Sequence, residues 1–437
     1  MASGTVLPRD PVPIPMAPVA RRGLPWLAAV VAIALAPVVF RHDGARSLLT
    51  QVEILVVFAL SYNMLLGQSG MLSFGHAVYS GLGAYFAIHA MDAVAARQLA
   101  FPISALPLVG GLGALACAVV IGFVTTRRAG LPFAMITLGL GELVYASSLM
   151  FPGFFGGEGG IEGNRTSGPP LLGIQGLNLG SQLQVYVLAS VWCMASVAAM
   201  YALTRTPLGR IANAVRDNAE RAEFVGYNAQ RVRWLMVMLS AFFAGVAGGL
   251  SAINFEIVSA ENVGAFRSAA VLVATFIGGV AVFWGPILGA AVYVIFAVAL
   301  SEYTKAWQLY LGLFFVLLVM YAPGGIGGLV AANLRVIRAR AFGRLVPGYL
   351  ALAPCALLLV GGGACLVEMT YHRTLELASG PSIVFFGATI DTQRGASWLV
   401  VLALLAVGGL GFALARRRFD AAWDRIQVEL AARGHRR

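Results

Sequence analysis

Twelve apolar runs of 16 to 24 residues, separated by short polar or glycine-rich punctuation, constrain what this chain can fold into more than any other feature. About 20 apolar residues wound as a helix cross a hydrocarbon layer roughly 30 Å thick, because in lipid each backbone N–H and C=O must be paired within the segment. The runs lie near 24–40, 48–66, 75–96, 102–125, 131–152, 182–203, 234–257, 267–283, 285–303, 307–322, 347–366 and 397–415. The stretch 267–303 is too long for one span, and Trp284-Gly285-Pro286 is where it is expected to turn back. Composition follows from the runs: 59% of residues are hydrophobic and 11% charged, against about 25% charged in soluble domains. The expected fold class is an all-α polytopic integral membrane protein, with about ten core transmembrane helices plus two additional C-terminal helices, some broken or re-entrant.

The net charge of +11 does not point to nucleic acid, because the basic residues sit between apolar runs rather than on a polar face with aromatic platforms. With the N-terminus inside, the inner segments carry 22 Lys and Arg residues and the outer ones 8. Cytoplasmic segments hold such an excess, so both termini are expected in the cytoplasm, the chain crossing the membrane many times. Residues 1–23 are proline-rich and carry Arg9, Arg21 and Arg22, as a secretory signal would. The run that follows is as long as a span and lacks a small-x-small cleavage pattern, which favours an uncleaved first helix. Three regions are expected: a cytoplasmic tail (1–23), a core (24–330) holding a polar inner loop at 205–233, and an extension (331–437) with two helices and a basic tail.

Little in the chain suggests catalysis. Cys117, Cys193, Cys355 and Cys365 fall in apolar segments without metal-ligand spacing. The five histidines are scattered, and no GxxxxGK[ST] phosphate loop is present. No enzyme activity, metal or cofactor is expected. Asn164-Arg165-Thr166 matches a glycosylation tripeptide that arises often by chance.

The inner loop is patterned as a helix outside the membrane. Thr206 can cap it and Pro207 can start it, while Ile211, Val215, Ala219, Ala222 and Val225 recur at helical spacing up to a stop at Gly226. Arg216 with Glu220, and Asp217 with Arg221, stand four apart as opposite charges. Such a helix could grip a partner's groove or rest on lipid headgroups; its mixed signs favour the partner.

Two glycine clusters, Gly67, Gly70, Gly75, Gly81 and Gly83, then Gly278, Gly279, Gly285 and Gly289, hint at an internal repeat. Broken helices around a transport pathway look like this in sequence, and so does close helix packing. The candidate hinges are Gly67, Gly70, Gly75, Gly278, Gly279 and Gly285. Asn63, Gln68, Ser73 and His76 around the first cluster could line a pathway or satisfy a broken backbone. Glu142 lies mid-span, where a carboxyl group costs about 2.5 kcal/mol or more unless it faces a cavity or partner.

The segments LGQSGMLSFGHAVYSGLGAY (66–85), LPFAMITLGLGELVY (131–145), TPLGRIANAVRDNAERAEFVGYNAQRVRWLMVMLSAFFAGVAGGL (206–250) and FIGGVAVFWGPILGA (276–290) resemble the LivM-type permeases of branched-chain amino acid ABC transporters. That family also includes urea and amide permeases, and the likeness covers about residues 48–330. It implies an importer subunit working with a second permease of LivH type, two cytoplasmic ATPase subunits that bind the ATP, and a periplasmic substrate-binding protein. The positions matching the ATPase-coupling loop are Arg216, Asp217, Asn218, Glu220, Ala222, Phe224 and Gly226. Branched-chain amino acids are the first expectation for the solute; urea, short amides and aromatic acids are alternatives, as is an ion-coupled secondary transporter. The chain departs from the family pattern in its extension beyond 330 and in Gly324-Gly325, where members often carry a basic residue.

Overall fold

Each of the twelve apolar runs coincides with a helix in the computed structural model, which describes residues 19–99, 101–168, 178–339, 341–375, 382–385 and 388–434. In order these are α1 (Val19–Val39), α2 (Asp43–Asn63), α3 (Ala77–Ala95), α4 (Leu106–Thr125), α5 (Leu131–Met150), the short α6 (Pro152–Phe155), α7 (Gln182–Arg205), α8 (Pro207–Asp217), α9 (Ala219–Phe224), α10 (Ala229–Phe255), α11 (Ala265–Gly278), α12 (Gly285–Val294), α13 (Trp307–Tyr321), α14 (Gly325–Arg338), α15 (Val346–Leu375) and α16 (Gly395–Gly434). Among the described residues seven helices are individually long and apolar enough to cross a membrane, and α13 with α14 makes an eighth as a pair bent by 46°. The long stretch 267–303 divides at Gly279–Trp284, giving two shorter helices instead of two full spans.

The described residues fall into two compact units, one of residues 29–329 and one joining those before 29 to those from 330 onward. In the first, α10 is the hub and packs on α2, α3 and α4. Gly83, Gly110 and Gly245 meet there so closely that a Cβ on any of them would strike a neighbour's backbone. Helices in lipid gain nothing from hydrophobic burial against each other, so small residues that allow close contact hold them. The flanking helices α4, α5 and α7 turn Val120, Leu143 and Val191 outward, as lipid or a neighbouring subunit requires.

At one end of this unit β1 (Ile161–Glu162) pairs antiparallel with β2 (Ile257–Val258). Arg165 donates from Nη1 to the carbonyls of Ile253 and Asn254 at 3.3 and 3.2 Å and lies 3.9 Å from the Glu256 carboxylate. A cation there suits the negative end of α10, and Glu256 closes the helix in the left-handed conformation at φ +56°. At the other end the α8–α9 loop, Gly67, Val280 and Gly324 converge. The 27-residue α10 thus has the α8–α9 loop before its start and the β1–β2 pair at its end.

In the second unit α15 and α16 form an antiparallel hairpin, with Gly408 against Leu358 and Leu359, and Gly411 against Cys355. Near its base Tyr349 meets Phe419 edge-on and Phe419 stacks on Trp423, where Arg344 pairs with Glu429 at 3.0 Å. The tip of this hairpin carries a strand pair, β3 (Ser382–Phe385) with β4 (Ala388–Asp391), for which the sequence offered no expectation. The basic stretch after the last run continues α16 to Gly434, with Arg416 and Asp420 paired one turn apart at 3.4 Å.

Candidate functional site

The loop at 205–233 folds as two helices, where one was expected. Thr206 caps α8 by accepting from the Gly209 N–H at 3.4 Å. The chain then breaks at Asn218, whose backbone is extended (φ −159°, ψ 102°) and whose Oδ1 accepts from the Arg221 N–H at 2.9 Å to start α9. Asparagine binds backbone N–H groups better at a helix start than it fits mid-helix, and this local preference overrides the periodic pattern. The break takes the anticipated Arg216/Glu220 and Asp217/Arg221 pairs off a common helix; Arg216 instead pairs with adjacent Asp217 at 3.0 Å. Of the stripe that the spacing predicts, Ile211 and Ala219 are partly buried and Val215 and Ala222 fully so, and Ala212, outside that stripe, is buried too. Val225 is not: it is 76% exposed, and with Phe224 at 83% and the exposed Tyr227 it forms an apolar tip beside Glu220 and Glu223. Gly226 reverses the chain at φ +95°. Asn218→Ala is expected to cost about 1 kcal/mol locally, read as faster hydrogen exchange over 219–224, whereas Asn218→Asp keeps the cap.

Arg216 reaches inward and donates from Nη1 to the carbonyl of Gly67, at the end of α2. Here α2 widens into a π turn, Met64–Gln68, before residues 70–76 run non-helically to α3. Gly70 takes φ +67° against the aliphatic stem of Arg216. Side chains satisfy this buried segment as its depth demands. Phe74 N–H donates to Thr137 Oγ1 at 3.1 Å, Tyr62 OH to the Ser73 carbonyl at 3.0 Å, and Ala77 N–H to Ser268 Oγ at 3.0 Å. Gly75 lies flush on the Thr137 carbonyl. His76 is fully buried, 3.1 Å from Ser61 Oγ, stacked on Phe58 at 5.5 Å and edge-on to Tyr62 and Tyr79. The side-chain oxygens of Asn63 and Gln68 are buried nearby on the same turn without a hydrogen-bond partner among the described residues.

The second glycine cluster forms a backbone-on-backbone turn. Gly278 lies against the Gly285 carbonyl, Gly285 against the Gly279 carbonyl, and Gly279, at φ +102°, against Gly324. Gly325, at φ +65°, lies on Gly278 and Gly279, which leaves no room for a side chain there. The Val280 carbonyl sits where a Cβ on Gly67 would point, 3.0 Å away, so the two clusters abut. Broken helices and close packing, posed as alternatives by the sequence, are both present. Glu142 stands apart from Asn63, Gln68, Ser73 and His76, on the exposed face of α5.

Between α2, α3, α10, α11 and α12 lies a cavity of about 260 Å³. Its mouth, at the end opposite the α8–α9 loop, is framed by Phe255, Glu261 and Phe266, and its inner part by Phe58, Ser80 and Ala247. Phe58 is the ring stacked on His76, so the cavity ends at the broken segment.

Residues 44–323 match the family model described as "Branched-chain amino acid transport system / permease component". The chain belongs to this permease family. It is 28% identical over 322 residues to the high-affinity branched-chain amino acid transport system permease protein LivM of Escherichia coli, covering 69% of this chain and 74% of that one. To the protein of the same name from Salmonella typhimurium it is 28% identical over 341 residues, covering 73% and 78%. No solved structure matches. The family consists of transport permeases and not enzymes, as the absence of a catalytic constellation in the sequence suggested. Family-level reasoning from sequence passed over Arg267, Tyr293 and Gln51, which the permease fold brings to the cavity from three different helices. Arg267 is the first residue of the apolar run 267–283, and no local pattern in the sequence ties it to Gln51 or Tyr293.

Proposed function

We propose that this chain is the membrane-spanning permease subunit of an ATP-driven importer of branched-chain amino acids in a bacterial inner membrane. It works beside a second, LivH-type permease and two ATPase subunits that bind the ATP, and a periplasmic binding protein feeds it. The relatives' names support the solute, and the excess of Lys and Arg supports a cytoplasmic α8–α9 loop and cytoplasmic termini. One observation carries the reading: an exposed two-helix loop with an apolar tip is tied through Arg216 to the carbonyl of Gly67, at the start of a broken helix. A protein that grips the tip differently in two nucleotide states would move the π turn, since a switch needs contacts that differ between states. Glu142, exposed at mid-span, needs a polar neighbour that a second permease or an aqueous pathway would supply.

Combining Phe224→Asp with Glu220→Arg is expected to abolish co-purification of the ATPase subunits while leaving the amount of chain in membranes unchanged. Retained association would place docking elsewhere, and amino-acid uptake by liposomes holding this chain alone would overturn the reading.

A further inference from the structure

We infer that the cavity between α2, α3, α10, α11 and α12 is a binding site for a zwitterionic α-amino acid with an aliphatic side chain, with Arg267 holding its carboxylate. This deepens the importer reading and rests on it. The volume of about 260 Å³ is room for roughly nine waters at about 30 Å³ each, the scale of one small metabolite.

The chemistry of the lining selects among small solutes. Arg267, in the first turn of α11, is half-buried in the wall. Its only hydrogen bond among the described residues runs to Ser251 Oγ at a long 3.4 Å, and no carboxylate of those residues lies in ion-pair contact with it. A guanidinium offers five N–H donors in a planar fork that fits a carboxylate through two parallel bonds, so most of this fork is unused. The mouth carries the opposite charge in Glu261, which is exposed and has no ion-pair partner among the described residues. A cation within and an anion at the rim match the two charges of an amino acid. Ile54, Leu55, Phe58, Val294, Ala297 and Val298 form an apolar wall suited to a branched aliphatic group.

Other solute classes use this lining less well. Urea or a short amide leaves the cation and the wall unmatched, a purely apolar molecule strips the guanidinium of water without replacing it, and an anion lacking an ammonium group meets Glu261 unfavourably. The floor adds a functional corollary, because Phe58 stacks on His76 at the head of α3. A solute pressing on Phe58 therefore acts on the same broken segment that Arg216 holds from the other end.

The test uses the full chain in native membrane vesicles, with Cys117, Cys193, Cys355 and Cys365 replaced by alanine and Ala270→Cys placed in the cavity wall. The rate of modification by a small methanethiosulfonate reagent is measured with leucine, leucinamide (which lacks the carboxylate) or urea. Leucine is expected to slow modification at least fivefold and leucinamide and urea less than twofold. Arg267→Gln should abolish the protection, and Arg267→Lys should keep part of it, which separates lost binding from lost folding. No protection by leucine, equal protection by leucinamide or urea, or full protection in Arg267→Gln overturns the site. ATPase co-purification measured on the same chain keeps the two readings apart: association without protection sinks the site and spares the permease reading, and protection without association does the reverse.

Discussion

Alanine at Gly279 is expected to remove most folded protein from the membrane. The residue sits at φ +102° and ψ 115°, a region that L side chains rarely adopt, and its Cβ would be driven into the Gly324 carbonyl. Backbone strain of this kind costs about 1–3 kcal/mol, and the overlap adds a comparable amount because the opposing atom is backbone and cannot swing away. Against a total stability on the order of 5–15 kcal/mol the sum is large. Membrane content and the thermal midpoint of the solubilised protein should both fall. Gly44→Ala, with open space around it, should change neither. An unaltered midpoint in Gly279→Ala would mean that the turns at 278–285 and 324–327 need not touch.

Arg216→Ala should reduce ATP-driven uptake at least tenfold while ATPase subunits still co-purify. The side chain lies behind the exposed tip, and what it contributes is one charge-assisted hydrogen bond to Gly67 together with packing of its stem on Gly70. Such a bond is worth about 1.5–3 kcal/mol, enough to decide whether movement of α8 reaches the π turn. Arg216→Lys keeps the charge without the fork and should recover only part of the rate. The phenotype is opposite in kind to that of the Phe224 and Glu220 pair, where association itself is lost. Normal uptake by Arg216→Ala would exclude this link as the route from loop to pathway.

The helical spans and the helix starts at Thr206 and Pro207 were legible because hydropathy and capping act over one segment at a time. Asn218 shows the limit of that reading: the periodic pattern and the cap preference compete at one residue, and only the folded chain shows which wins. Gly278, Gly279 and Gly285 announced a turn, but their partners at 324–327 lie some 40 residues on and no local pattern connects them. Glu142 and His76 illustrate the same gap from the other side. Both are polar residues in apolar runs, yet one ends exposed on α5 and the other fully enclosed by Phe58, Tyr62 and Tyr79.

By itself the sequence determined that the chain is a multi-span helical protein and where most of its helices lie, since burying an unpaired backbone in lipid leaves few alternatives. Its motifs also brought it close to the permease family. Tertiary structure alone decided that Arg216 reaches Gly67, that the two glycine clusters abut, and that Gln51, Arg267 and Tyr293 share a cavity. The physical reason is that these contacts join residues up to about 240 positions apart, through side-chain directions fixed only when α2, α10, α11 and α12 pack together.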